Sequence, residues 1–143
     1  MIRARATVLL LVLMTAGCGK PALVPATGVV TVGGNPAAEV RVFFWPDPAP
    51  SQTPPSRLGT AITDAEGKFR IACADGEGIE AGSYRVTFSR YTAGSRIVKA
   101  SERVEGSTEG IPMPYSNHES PASSPATAAV NGSTEFRFDL PTR

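Results

Sequence analysis

GSYRVTFS (Gly82–Ser89) is the stretch on which the fold class turns. Tyr84, Val86 and Phe88 fall on one side of an extended chain; Arg85, Thr87 and Ser89 fall on the other. That two-residue period marks a strand with one face on a core. Val40, Val42 and Phe44 alternate in the same way with Arg41, Phe43 and Trp45. So do Phe69, Ile71 and Cys73 with Arg70 and Ala72, and Phe136, Phe138 and Leu140 with Glu135, Arg137 and Asp139. Val29–Val32 and Leu58–Thr63 read as further strands from their β-branched content, and Ile97 and Val98 suit a short one. No segment carries a sustained 3.6-residue apolar period.

Turn chemistry separates these runs. Gly33-Gly34-Asn35-Pro36 is one dense turn. Thr63-Asp64-Ala65-Glu66-Gly67-Lys68 is another, with Asp64 placed to bind its own backbone amides and Gly67 at the left-handed position. Asn131-Gly132 between two extended runs predicts a hairpin. Pro46–Arg57 is too rich in proline for a central strand and reads as a stiff loop. About seven short strands with such punctuation predict an all-β, seven-stranded antiparallel Greek-key β-sandwich. Residues 92–127 interrupt it with a long proline-rich excursion, for which Ile111, Met113 and Tyr115 are candidate anchors onto the domain.

The beginning of the chain has a different character. Arg3 and Arg5 precede an uncharged run from Thr7 to Met14, followed by the small residues Thr15, Ala16 and Gly17. Basic start, apolar core and small exit are the parts of a secretory signal. An apolar run of about eight to ten residues at ~1.5 Å each covers roughly 15 Å, half of a hydrocarbon core about 30 Å thick. Thr15-Ala16-Gly17-Cys18 resembles a bacterial lipobox, with Thr15 where leucine is usual. The resemblance implies a signal peptide over 1–17 and lipidation of Cys18. A diacylglyceryl group carrying fatty acyl chains such as palmitate supplies the two chains that stable anchoring needs. Gly19, not aspartate, follows the cysteine, which favours the outer membrane and periplasm over the inner membrane. Residues 18–27, rich in proline and alanine, read as a tether, and 28–143 as the domain.

Two stretches carry a further resemblance. Gly28-Val29-Val30-Thr31-Val32 with Val40-Arg41-Val42-Phe43-Phe44 is similar to the opening of the carboxypeptidase regulatory-like domain. Thr63–Phe69 followed by Ala81-Gly82-Ser83-Tyr84-Arg85-Val86-Thr87-Phe88 matches its turn and next strand. That resemblance implies a transthyretin-like, immunoglobulin-like sandwich. Ile111-Pro112-Met113-Pro114-Tyr115 and Phe136-Arg137-Phe138-Asp139-Leu140 also resemble elements of small lipoproteins of planctomycete-type bacteria. These motifs are turn and core positions, so they speak to fold and not to activity.

Little in the chain suggests chemistry. The formal net charge is +1, and removing Arg3 and Arg5 with the leader leaves it near neutrality, without the basic footprint of a nucleic-acid binder. The single histidine, His118, stands in a proline-rich loop with no nucleophile elbow in the sequence, so no catalytic residue is assigned. With Cys18 assigned to the lipid, one histidine and one buried cysteine do not make a zinc site. Asp64, Glu66, Asp75, Glu77 and Glu80 raise calcium, but the turn role of Asp64 is sufficient, and no metal or cofactor is expected. Cys73 reads as a small buried core residue. Phe43 and Trp45, facing away from the core, form a candidate binding surface on which a sugar ring or a partner protein could stack. The alternative is that Trp45 covers the open end of the sandwich beneath the long loop. The expected function is a lipid-anchored, non-catalytic envelope module with a structural or protein-interaction role, or alternatively a carbohydrate- or peptidoglycan-binding module.

Overall fold

The computed structural model describes residues 19–20, 22–48 and 57–143. The expected leader, the expected lipid-bearing Cys18 and most of the proline-rich loop lie outside the described residues.

The described chain is all-β. Its strands are β1 (Leu23–Val24), β2 (Ala26–Val32), β3 (Asn35–Pro36), β4 (Arg41–Pro46), β5 (Gly59–Ile62), β6 (Lys68–Arg70), β7 (Ala72–Cys73) and β8 (Gly76–Glu77). After them come β9 (Ile79–Glu80), β10 (Gly82–Ser89), β11 (Tyr91–Ala93), β12 (Arg96–Ile97), β13 (Thr108–Glu109), β14 (Thr127–Val130) and β15 (Thr134–Leu140). A 3-10 turn at Pro121–Ser123 is the one helical element among the described residues.

Two main sheets result. One runs β14-β10-β4-β5-β7-β8, and the other holds β15, β2 and β3, with β6 also on β2. They meet through the faces that the alternation marks. Phe44, fully buried, lies 5.5 and 6.4 Å from the Phe136 and Phe138 rings of the opposite sheet and 6.3 Å from Phe69. Val40, Val42, Tyr84, Val86 and Phe88 complete the first layer of the core; Val30 and Leu140 belong to the second. Each large aromatic buried here removes on the order of 150–250 Å² from water, so this cluster dominates the hydrophobic term.

The turns behave as their residues require. In the β5–β6 connection Asp64 Oδ1 accepts the amides of Glu66 at 3.0 Å and Lys68 at 2.9 Å. Gly67 has φ +75°, the left-handed conformation open to glycine, and its N–H donates to the Asp64 carbonyl at 3.0 Å.

Four expectations need correction. First, β14 and β15 do not form a hairpin around Asn131-Gly132. β14 pairs antiparallel with β10, and β15 pairs with β2 in the other sheet, so the turn carries the chain across the layers. Second, the β15–β2 ladder is parallel over all seven residues, from Thr134↔Ala26 to Leu140↔Val32, so the architecture is not wholly antiparallel. Local turn residues report a reversal; they do not report which distant strand is met next.

Third, the run from Phe69 to Cys73 is not one strand. β6 pairs with β2 and β7 with β5, so the chain changes sheets at Ile71, whose N–H donates to the Ala26 carbonyl. Beyond that corner Cys73 enters a tight pairing with Gly76 and ends half-buried, outside the core. Fourth, the end of the expected tether belongs to the domain. β1 pairs with β9, and Ala26 is fully buried at the start of β2.

Within the excursion, Ile111 is buried, and Tyr115 packs on the core while its carbonyl accepts the Phe88 amide at 2.9 Å. Met113 is 64% exposed and anchors nothing. The excursion also holds a small sheet of its own, β12-β11-β13, with Ile97 exposed in β12 and Val98 buried just beyond it.

Candidate functional site

Phe43 and Trp45 do point away from the core, as the alternation of β4 requires. The face they occupy is not open. Residues of the excursion lie across it, and the polar side of β10 supplies the attachment points. Thr87 is fully buried and Ser89 nearly so, although both face away from the apolar core.

Thr87 is the centre of this seal. Its Oγ1 lies 2.8 Å from the Trp45 indole Nε1 and 2.7 Å from His118 Nδ1. An indole N–H only donates, so the hydroxyl accepts from Trp45, and its own proton or its second lone pair meets His118 Nδ1, the direction being set by the imidazole tautomer. The Phe43 ring meets the imidazole edge-on at 4.8 Å and stacks with Trp45 at 6.1 Å. Burial pushes the His118 pKa down from its ordinary value, against an opposing pull from Glu109. Among the described residues His118 Nε2 is buried without a partner, so none of them offers the ring a second group to share a proton with.

Two further ties hold the excursion along β10. Glu109 accepts from Ser89 Oγ at 2.7 Å and from the amides of Arg90 and Ile111, each at 2.9 Å. Ser124, buried, donates through Oγ to the Val86 carbonyl, and the Ser124 carbonyl accepts from Arg85 Nη1 at 3.2 Å. Arg85 Nε also meets Asp47 at 3.0 Å. The strand thus buries polar groups on its second face and satisfies most of them, as burial demands.

The acidic residues considered for calcium are dispersed. Glu77 pairs with Arg70 at 2.7 Å and Glu80 with Arg57 at 3.3 Å, while Asp64 is spent on its turn. Among the described residues no three histidine, cysteine, aspartate or glutamate side chains gather into a metal-holding group. A cleft of about 430 Å³ opens between the excursion and β4, bordered by Arg41, Tyr91, Val98, Arg103 and Val104. There the Arg41 guanidinium sits 5.9 Å from the Tyr91 ring centre and donates to the Ala100 carbonyl. Ser107 also lines the cleft, and no histidine stands near it to act as a base.

Sequence reasoning located Phe43, Trp45 and His118 but did not bring them together. It missed Thr87, Glu109 and Ser124, which join them to the excursion. A threonine and a serine at alternate strand positions look like a solvated face, and only the tertiary cover distinguishes the two cases. Cys18 lies outside the described residues. No family model, no curated protein and no solved structure matches this chain.

Proposed function

We propose that this is a lipid-anchored protein of the bacterial cell envelope that acts without catalysis, in a structural or protein-interaction role. The framework we assign is the carboxypeptidase regulatory-like domain, a transthyretin-like seven-stranded Greek-key sandwich, held at the membrane by an acylated Cys18. One observation carries the non-catalytic reading: the chain's single histidine is spent on a closing contact, with Nδ1 on the Thr87 hydroxyl, which is fully buried and shut away from any substrate, and Nε2 buried as well. The covered aromatics Phe43 and Trp45 then serve as packing for the excursion, and partner contact falls to the surfaces left open.

A glycan- or peptidoglycan-binding module is the second reading, favoured by Tyr91. That ring is partly exposed, borders the 430 Å³ cleft and has Arg41 beside it, which is the pairing of aromatic face and hydrogen-bond donor that sugars use. Calorimetric titration of the protein with soluble peptidoglycan fragments separates the two. The structural reading expects no heat of binding. Saturable heat that disappears in Tyr91→Ala would put the glycan reading first. Intact-mass analysis of the native product should find diacylated Cys18 as the first residue. An unmodified amino terminus elsewhere would remove the anchor.

A further inference from the structure

β15 has only one neighbour. Among the described residues every pairing it makes is with β2, and its other side meets no strand. The direction of its backbone groups follows from two bonds. The Thr134 amide donates to Pro25 on the β2 side, and the Leu140 carbonyl accepts from Gly33 on the same side. Even-numbered residues therefore turn their amides toward β2. Glu135, Arg137 and Asp139 turn theirs outward, to an open edge. Seven residues is the longest such edge among the described residues: β14 has four, and β3 and β8 have two each.

Open edges invite a further strand unless something blocks them. A row of like charges would block this one. The row here alternates instead, negative at Glu135, positive at Arg137 and negative at Asp139. Phe136 and Phe138 behind it face the core yet stay only partly buried, stacked on each other at 6.2 Å. A strand added at this edge would cover them.

We propose that the edge of β15 is a self-association site, occupied by β15 of a second copy in an antiparallel, two-fold arrangement centred on Phe136. In that register Glu135 lies opposite the second copy's Arg137, and Arg137 opposite its Glu135. Both are positions whose amides face outward, so both exchange backbone hydrogen bonds as well as opposite charges. Phe136 meets Phe136 on the inner face. The neighbouring registers are worse. Centring on Arg137 sets Arg137 against Arg137 and Glu135 against Asp139, which are like charges. Centring on Phe138 sets Arg137 against Asp139, whose carboxylate is already held by Thr31 and the Gly34 amide, and sets Glu135 against Pro141, which has no N–H to give. An isologous pairing of this kind closes on itself and leaves no β15 edge free for further growth. It does not depend on the lipid anchor or on the functional reading above.

The test is sedimentation velocity of the full chain in mild detergent, on wild type and three variants. Glu135 and Arg137 are exposed, their side chains 61% and 82% accessible, so charge changes there leave the fold intact, which circular dichroism would verify. Wild type is expected as a concentration-dependent dimer. Glu135→Arg and Arg137→Glu, each alone, place like charges across the two-fold and should shift the chain to monomer. The double variant Glu135→Arg with Arg137→Glu restores opposite charges and should restore the dimer. A wild type that stays monomeric up to its solubility limit would overturn the proposal. So would a dimer that ignores both single variants, because its interface would lie elsewhere.

Discussion

Phe44→Ala is expected to cost about 3–5 kcal/mol of folding stability, the range for truncating a buried phenylalanine. The ring is fully buried and touches Phe69, Phe136 and Phe138 on the opposite sheet as well as Tyr84 on its own. Removing it opens a cavity between the layers that rigid sheets cannot close. Against a total of about 5–15 kcal/mol for a typical domain, that loss leaves the fold marginal. Phe43→Ala, one residue earlier on the same strand, should cost distinctly less, since that ring is only half-buried on the outer face. Urea unfolding of both variants gives the comparison. If Phe44→Ala changed stability by no more than a surface substitution, within about 0.5 kcal/mol, the two sheets would not meet at this residue.

Gly28→Ala is the second large expected effect, about 2–3 kcal/mol from overpacking. Gly28 sits in β2 where β15 runs alongside, and a Cβ there would press into the Phe136 carbonyl oxygen and come within 2.6 Å of the Phe69 ring. The first obstacle is backbone in a seven-residue ladder and cannot swing aside. Thermal unfolding should show the loss. A neutral substitution would mean that β15 does not lie against β2 in the parallel register.

Gly28 also shows how far the sequence could be read. A glycine inside a strand often marks a close approach of backbone or ligand. Its position in Gly28-Val29-Val30 was legible, but nothing local says that the approaching group is β15, more than a hundred residues later. The same limit explains Asn131-Gly132. Two adjacent turn formers predict reversal, yet the chain reversed between sheets and not within one. The period-two runs, by contrast, located the core well. Val40, Val42, Phe44, Tyr84, Val86, Phe88 and Leu140 are all buried where alternation puts them, because one apolar face per strand is what two packed layers require.

The outer face was harder. Phe43 and Trp45 were visible as outward aromatics, and the alternative that Trp45 lies beneath the long loop agrees with the contact to Thr87 and His118. What holds the loop there is a set of hydrogen bonds from Thr87, Glu109 and Ser124, whose geometry no residue pattern encodes. Of the expected anchors, Ile111 and Tyr115 engage while Met113, only two residues from each, does not. Spacing alone could not separate them.

The excursion closes over the strand face through Trp45, Thr87 and His118. Trp45 is the chain's single tryptophan, so its indole proton is one assignable resonance. Burial lowers the His118 pKa in the folded protein, so the unfolded or opened chain takes up a proton more readily. The closed state is therefore fully favoured above about pH 6.5, the free histidine value, and weakens as pH falls from there toward the folded value. Hydrogen exchange of the Trp45 indole, measured relative to a free indole at each pH, reads this directly. The expected result is strong protection above the free histidine pKa that declines below it. Exchange at the free-indole rate in neutral buffer would contradict it.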